Sequence, residues 1–363
     1  MQDSYTISFG NPSSLHGFGR VAKEILETSR SRLAQSISAR KDEVIFTSGG
    51  TESNNLALKG VALANRKQKN HIIVSGIEHD SVLKPAGWLS GMGFEITYLP
   101  VDSEGLVEME ALENSITSQT AIVSIMHANN EIGTIQPLDE IGKICHENDT
   151  IFHSDACQSL GKVKIDLSRM PVDLLSVNAH KIYGPKGIGA LYIRDGIEIE
   201  PLQHGGGHER GIRSSTENIP GIVGFAKAAE LCVSEFESEV KRETDLRDQI
   251  ITQITERIPP AYINGHRTKR LCNNANFGFK GLEGEAPRIL FALDDLGIAV
   301  SSGSACSANA SENQPSHVLT ALGRNPVEAR GAMRITLGRF TTNRDVEYFL
   351  DCLPDVINQC TSF

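Results

Sequence analysis

Short apolar runs alternate along the first half of the chain with stretches of helical periodicity, and this alternation narrows the fold more than any other feature. Residues 44–46, 72–74, 122–126, 151–152, 174–177 and 190–193 are runs too short for a helix and read as buried strands. Amphipathic helices lie between several of them. Around 137–148, Leu138, Ile141, Ile144 and Cys145 recur at helical spacing, and Pro137 suits a first helical position. Such a chain builds an α/β domain with a mainly parallel sheet flanked by helices, and ligands sit in the loops at the strand C-termini.

The pattern changes after about residue 215. Ile222, Ala226, Ala229, Val233, Phe236 and Val240 predict one long helix. Beyond it, 275–279, 298–300 and 333–337 read as strands. Leu290, Leu293 and Leu296 mark one further helix, and Val346, Phe349, Leu350 and Leu353 another. A large domain over 14–238 and a smaller α+β domain over 1–13 and 239–363 are expected. The polar stretch 307–314 is the best candidate for a mobile loop.

A length of 363 residues is enough for two domains without disulfides or structural metal. The net charge of −10 speaks against nucleic acid or an anionic membrane as main partner. No apolar run reaches membrane-spanning length, and the first ten residues do not read as a signal peptide. Seven cysteines without a Cys-x-x-Cys pair suggest a reducing compartment, hence a cytoplasmic protein. His204 and His208 have a helical metal-ligand spacing, but three glycines separate them, so no metal is expected.

Three segments carry chemistry. In Thr47-Ser-Gly-Gly-Thr-Glu-Ser-Asn-Asn55, glycines between a strand and a helix would let backbone N–H groups cradle a phosphate. In Ser154-Asp-Ala-Cys-Gln158, Asp155 ends a strand. In Ala179-His-Lys-Ile-Tyr-Gly-Pro-Lys-Gly187, Lys181 follows another strand and could form a Schiff base. Taken singly, each is equally an ordinary turn, a capping aspartate or an exposed lysine. In this order on one sheet they suit pyridoxal phosphate, which needs a phosphate cradle, a carboxylate for the ring nitrogen and a lysine for the aldehyde.

These segments, with Asn11-Pro-Ser-Ser14, Glu78-His79, Asn129-Asn-Glu-Ile-Gly133, His204-Gly-Gly-Gly-His-Glu-Arg-Gly211 and Ser301-Ser-Gly-Ser-Ala-Cys306, resemble the cysteine desulfurases of the nitrogen-fixation and iron–sulfur-cluster type, within the class V aminotransferases. The resemblance implies the pyridoxal-phosphate-dependent transferase fold type I. It implies conversion of L-cysteine to L-alanine, with the sulfur taken up by Cys306 as a persulfide. Lys181 would carry the cofactor and move the substrate Cα proton, and His79 would stack on the ring and assist proton transfer. Asp155 would pair with the pyridine nitrogen and Gln158 with the ring oxygen, with Asn130 near ring and substrate. Gly50, Thr51, Asn178 and His180 would hold the phosphate. Thr216 would reach the phosphate of a neighbouring subunit, which implies a homodimer. Arg334 would bind the substrate carboxylate as a bidentate fork.

Sulfur would pass to an acceptor protein, either an iron–sulfur assembly scaffold or a tRNA-thiolation protein. Four features depart from the family pattern, one being a Cys306 loop longer than is usual on a chain that ends at Phe363 without the docking tail of some members. Asn178 stands where a small residue is usual. Ser215 stands where glycine is usual and would be strained if its φ is positive. Met1 stands just upstream of Asn11-Pro-Ser-Ser14, where the family has a further strand lining the substrate site. Two alternatives stay open: a selenocysteine or other cysteine lyase of the same fold, and an N-terminally shortened, catalytically weak sulfur-transfer binding protein.

Overall fold

The computed structural model describes residues 1–302 and 315–361, in two units. The first comprises Met1–Leu99, Met109–His127 and Pro137–Phe236; the second comprises Pro100–Glu108, Ala128–Gln136 and Glu237–Phe363.

In the first unit, helices α1 (Gln2–Thr6), α2 (Gly17–Ser36), α3 (Gly50–Asn65), α4 (Asp80–Ser90), α5 (Met109–Ser115), α6 (Leu138–Glu147) and α7 (Ile219–Ser234) surround a sheet. Its strands are β1 (Val44–Thr47), β2 (His71–Ser75), β3 (Glu95–Leu99), β4 (Thr120–Ser124), β5 (Ile151–Asp155), β6 (Leu174–Asn178) and β7 (Gly189–Ile193). The order is β1-β7-β6-β5-β4-β2-β3, and only β7 runs against the rest. Strands β1, β2, β4, β6 and β7 are buried along their whole length, as a sheet covered on both faces requires. Leu56, Ala57 and Val61 of α3 and Val82, Ala86 and Leu89 of α4 pack with Ile45, Ile72, Val74, Ile122, Leu174 and Leu191 of the sheet. The α6 helix buries Leu138, Ile141 and Cys145, the stripe its periodicity predicts.

A buried ion pair pins the glycine-rich 204–216 segment to this unit. Arg30 of α2 meets Glu209 through two bonds of 2.7 Å, and the Phe46 amide donates to the same carboxylate at 2.7 Å. Glu209 and Arg210 both sit at positive φ, so this turn is held by its ion pair against local backbone preference.

In the second unit, β8 (Ala261–Asn264), β9 (Asn274–Phe279), β10 (Ser301–Ser302) and β11 (Met333–Thr336) form an antiparallel sheet in the order β10-β11-β9-β8. Its helices are α8 (Phe236–Arg257, whose first residue belongs to the first unit), α9 (Ala286–Asp295), α10 (His317–Ala321), α11 (Pro326–Arg330) and α12 (Asn343–Thr361). Leu246, Ile250, Phe277, Phe279, Ile289, Leu293, Met333 and Leu353 form its core.

The structure corrects four expectations. Residues 1–13 lie in the first unit, where α1 packs against α7. Segments 100–108 and 128–136, expected in the large domain, lie in the second unit. The helix predicted through 222–240 is two helices, because the Glu235 amide turns back to the Leu231 and Val233 carbonyls and closes α7. Residues 298–300 form no strand; pairing to β11 begins at Ser301 and Ser302.

Ser215 adopts φ +100°, the strain foreseen for it. Ser215→Gly should therefore stabilise the protein by about 1 kcal/mol, relief of the strain exceeding glycine's extra unfolded-state entropy. A raised urea midpoint at unchanged m-value would show this.

Candidate active site

Strands β1, β2, β4, β5 and β6 run parallel, so the loops leaving their C-termini share one edge of the sheet. Thr47–Gly50, Glu78–His79, Met126–His127, Asp155–Gln158 and Asn178–Lys181 all lie at this edge. The expected cradle, aspartate and lysine are thus gathered by topology alone.

The cradle is the start of α3. Gly49 sits at φ +155°, and no side chain caps the helix N-terminus. A Cβ on Gly50 would come within 2.4 Å of Cys157 Sγ and 3.3 Å of Asn178 Nδ2. A Cβ on Gly189 would come within 2.7 Å of the Gly49 backbone. Both glycines are therefore demanded by close approach. Thr51 is exposed beside Gly50. Glu52, in the same turn, accepts from the Ser48 amide and pairs with Arg213 at 2.7 Å. This ion pair, which holds Glu52 below the usual carboxylate range despite partial burial, ties the cradle to the segment bearing the exposed Thr216.

Asp155 ends β5. Its Oδ1 accepts from the Cys157 amide at 2.9 Å and its Oδ2 from Asn54 Nδ2 at 2.6 Å. Asn54 Nδ2 also donates to Ser81 Oγ at 2.8 Å, and Ser81 Oγ lies 2.8 Å from His79 Nδ1. His79 caps α4, accepting from the Ser81 amide at 3.0 Å. Asn178 is buried at the end of β6, and its Oδ1 accepts from the Lys181 amide at 3.3 Å. Its side-chain amide thus fastens the turn that presents Lys181. His180 and Lys181 are exposed. Gln158 is half-buried, and its carbonyl accepts from Lys162 Nζ. Cys157 is buried, and burial with the neighbouring Asp155 pushes its thiol well above the usual range, so it serves as packing beneath Gly50.

Burial shifts the remaining buried titratable groups near this edge toward their neutral forms. Glu78 accepts from Ser75 Oγ at 2.6 Å and the Met126 amide at 2.7 Å, yet full burial and nearby Asp155 push its carboxyl up to about 8. Burial depresses His127 and His153 to about 4. His153 is bracketed by Ser124 and Ser176.

Asn130 and Arg334 belong to the second unit. Arg334 Nη1 donates to the Asn130 carbonyl and Nη2 to Ser301 Oγ, each at 3.1 Å, while its buried Nε meets no acceptor. Glu131, next to Asn130, accepts from Ser316 Oγ at 2.6 Å, and burial raises its carboxyl to about 7. Cys306 and the polar stretch 307–314 lie outside the described residues.

A family model for class-V aminotransferases matches residues 1–349. The cysteine desulfurase IscS of Dictyoglomus turgidum is 51% identical over 352 residues, covering 97% of this chain and 88% of the relative. A solved NifS-like protein superposes with a TM-score of 0.91 at 38% identity, covering 99% of this chain and 94% of that one. The structure titled SspA in complex with cysteine gives a TM-score of 0.81, also at 38% identity, with 94% of each chain covered. The chain belongs to the cysteine desulfurases of the class-V aminotransferase family.

For a desulfurase, two polar groups at this edge escaped the sequence reading. Asn54 entered it only as a member of the Thr47–Asn55 motif, and Ser81 not at all. The available signal was position: Gly50 and Asn54 are four apart on α3 and so share one helix face.

Glu78 gives a pH prediction. Its folded value lies above its unfolded one, so the folded state binds the extra proton. Stability is full below about pH 4.5 and falls as pH rises through about 8. Glu78→Gln should match the parent at pH 4 and exceed it by about 2–4 kcal/mol at pH 9, measured by denaturant unfolding across that range.

Proposed function

We propose that the chain binds pyridoxal phosphate, converts L-cysteine to L-alanine and passes the sulfur, as a persulfide on Cys306, to an acceptor protein. The observation that carries this reading is the convergence of an uncapped, glycine-led helix start, a doubly hydrogen-bonded Asp155 and the Lys181 turn on one sheet edge. The uncapped first turn of α3 offers amides to a phosphate, and open space lies beside Gly49 at its start.

Gly50, Thr51, Asn178 and His180 would hold the phosphate, joined by Thr216 of a neighbouring copy. Asp155 would pair with the ring nitrogen and Gln158 with the ring oxygen, and His79 would stack on the ring. When bound, the cofactor serves as an electron sink for the substrate Cα. Lys181 anchors it and moves the Cα proton. Asn130 contributes to substrate binding, and Arg334 binds the substrate carboxylate through its guanidinium. Cys306 attacks the substrate sulfur. The Cβ–S bond breaks, an S–S bond forms and Cβ gains a proton, so L-cysteine and a thiol become L-alanine and a persulfide with no oxidant consumed.

The acceptor is proposed to be an iron–sulfur assembly scaffold or a tRNA-thiolation protein, in the cytoplasm. Among the described residues no helix is long and apolar enough to cross a membrane. A homodimer is favoured by the exposed Thr216 and by the exposed apolar side chains of Tyr5, Ile7, Phe9, Leu15 and Phe18.

The test uses L-cysteine and a reductant, with alanine and sulfide both measured. Cys306→Ser should keep the protein-bound cofactor absorbance and lose both products. Lys181→Ala should lose that absorbance. Sulfide release by the Cys306 variant would remove Cys306 as the carrier.

A further inference from the structure

One buried amide joins the two groups proposed to touch the cofactor ring. Asn54 of α3 is fully buried, and its Nδ2 donates one hydrogen to Asp155 Oδ2 at 2.6 Å and the other to Ser81 Oγ at 2.8 Å. The orientation of the amide is fixed by its neighbours: turned over, its oxygen would face the Asp155 carboxylate. The present orientation leaves the buried Oδ1 without a partner among the described residues, a cost that the fold tolerates.

Polarity then propagates. Ser81 Oγ accepts from Asn54, so its single proton points to its other partner, His79 Nδ1, at 2.8 Å. That nitrogen also receives the Ser81 backbone N–H at 3.0 Å. Two donors aimed at Nδ1 make it a proton-free acceptor, which leaves the ring proton on Nε2.

We propose that Asn54 and Ser81 are positioning residues that lock His79 in its Nε2–H tautomer and fix it relative to Asp155, so that His79 offers a proton from Nε2. Asp155 ends β5 and His79 follows β2, with β4 between those strands, so no direct pairing sets their relation. Asn54, reaching both from α3, supplies it. The tautomer stands on this geometry alone; its use in turnover rests on the function proposed above.

The test is nitrogen-15 NMR of the full chain with labelled histidine, cofactor-free, using a His79→Gln variant to assign the ring. His79 should show a hydrogen-bonded, proton-free Nδ1 and a protonated Nε2. Ser81→Ala should move the Nδ1 resonance toward that of an unbonded nitrogen and lower kcat for alanine formation about tenfold, with KM little changed. Ser81→Thr, which keeps the hydroxyl, should restore both readouts. Asn54→Ala should move the Nδ1 resonance in the same direction, although Asn54 does not touch the ring. A wild-type spectrum with the proton on Nδ1, or identical spectra in the wild type and Ser81→Ala, would overturn the proposal. The expected spectra in a wild type that makes no alanine would instead count against the proposed function.

Discussion

Parallel pairing between β5 and β6 sets the position of everything at the candidate site. Asp155 is in register with Ser176, two residues before the end of β6. In a parallel pair both chains leave at the same edge, so the aspartate and the Lys181 turn emerge side by side. An antiparallel β6 would have sent Lys181 to the opposite edge. The reversal is instead placed one strand further on, at β7, and from there Gly189 returns against Gly49 of the cradle. The single antiparallel strand thus closes the site without displacing its members.

Electrostatics follow from that edge being buried. Asp155, Glu78, His127 and His153 are crowded at the ends of β2, β4 and β5, and their burial leaves little solvent to separate charges. Raising Glu78 and lowering both histidines removes charge from the surroundings of Asp155. Hydrogen bonds then aim the aspartate: one donor is the backbone amide of Cys157, two residues on, and the other is the side chain of Asn54 on α3. Cys157, sandwiched between Gly50 and the backbone of β6, is kept a thiol by the same burial. Two cysteines in one desulfurase thereby fall into different chemical classes, a protonated packing residue at 157 and the proposed carrier at 306.

Much of this was legible in the sequence because period and punctuation report on backbone geometry. The buried strands of the first sheet announced themselves as apolar runs, and the motifs following them had to fall at strand ends. The edge strand β3 did not, because Glu95 and Tyr98 are exposed and its apolar pattern is diluted. The break at Glu235 was invisible because apolar spacing continues across it. Asn54 was hidden for another reason. Spacing from Gly50 could place it on the cradle's helix face, but its meaning lies in partners 27 and 101 residues away. The strain at Ser215 was foreseeable as a conditional, since a serine in place of a usual glycine matters only when φ is positive.

The 204–216 segment shows what replaces a hydrophobic anchor. Among its residues, Ile212 is the one large aliphatic side chain, while glycine stands at 205, 206, 207 and 211. A loop so poor in apolar surface gains little from burial. It is instead clamped at two points by ion pairs: Glu209 with the buried Arg30, and Arg213 with Glu52 of the cradle. Both pairs are bidentate, the first buried and the second partly so, and each fixes direction as well as distance. Three non-glycine residues in this segment, Glu209, Arg210 and Ser215, hold positive φ. Such conformations persist only where surrounding contacts over-determine them. The clamps supply that over-determination. They also make the position of Thr216 depend on the first turn of α3, so a change in the cradle would be felt at the residue proposed to serve a neighbouring copy.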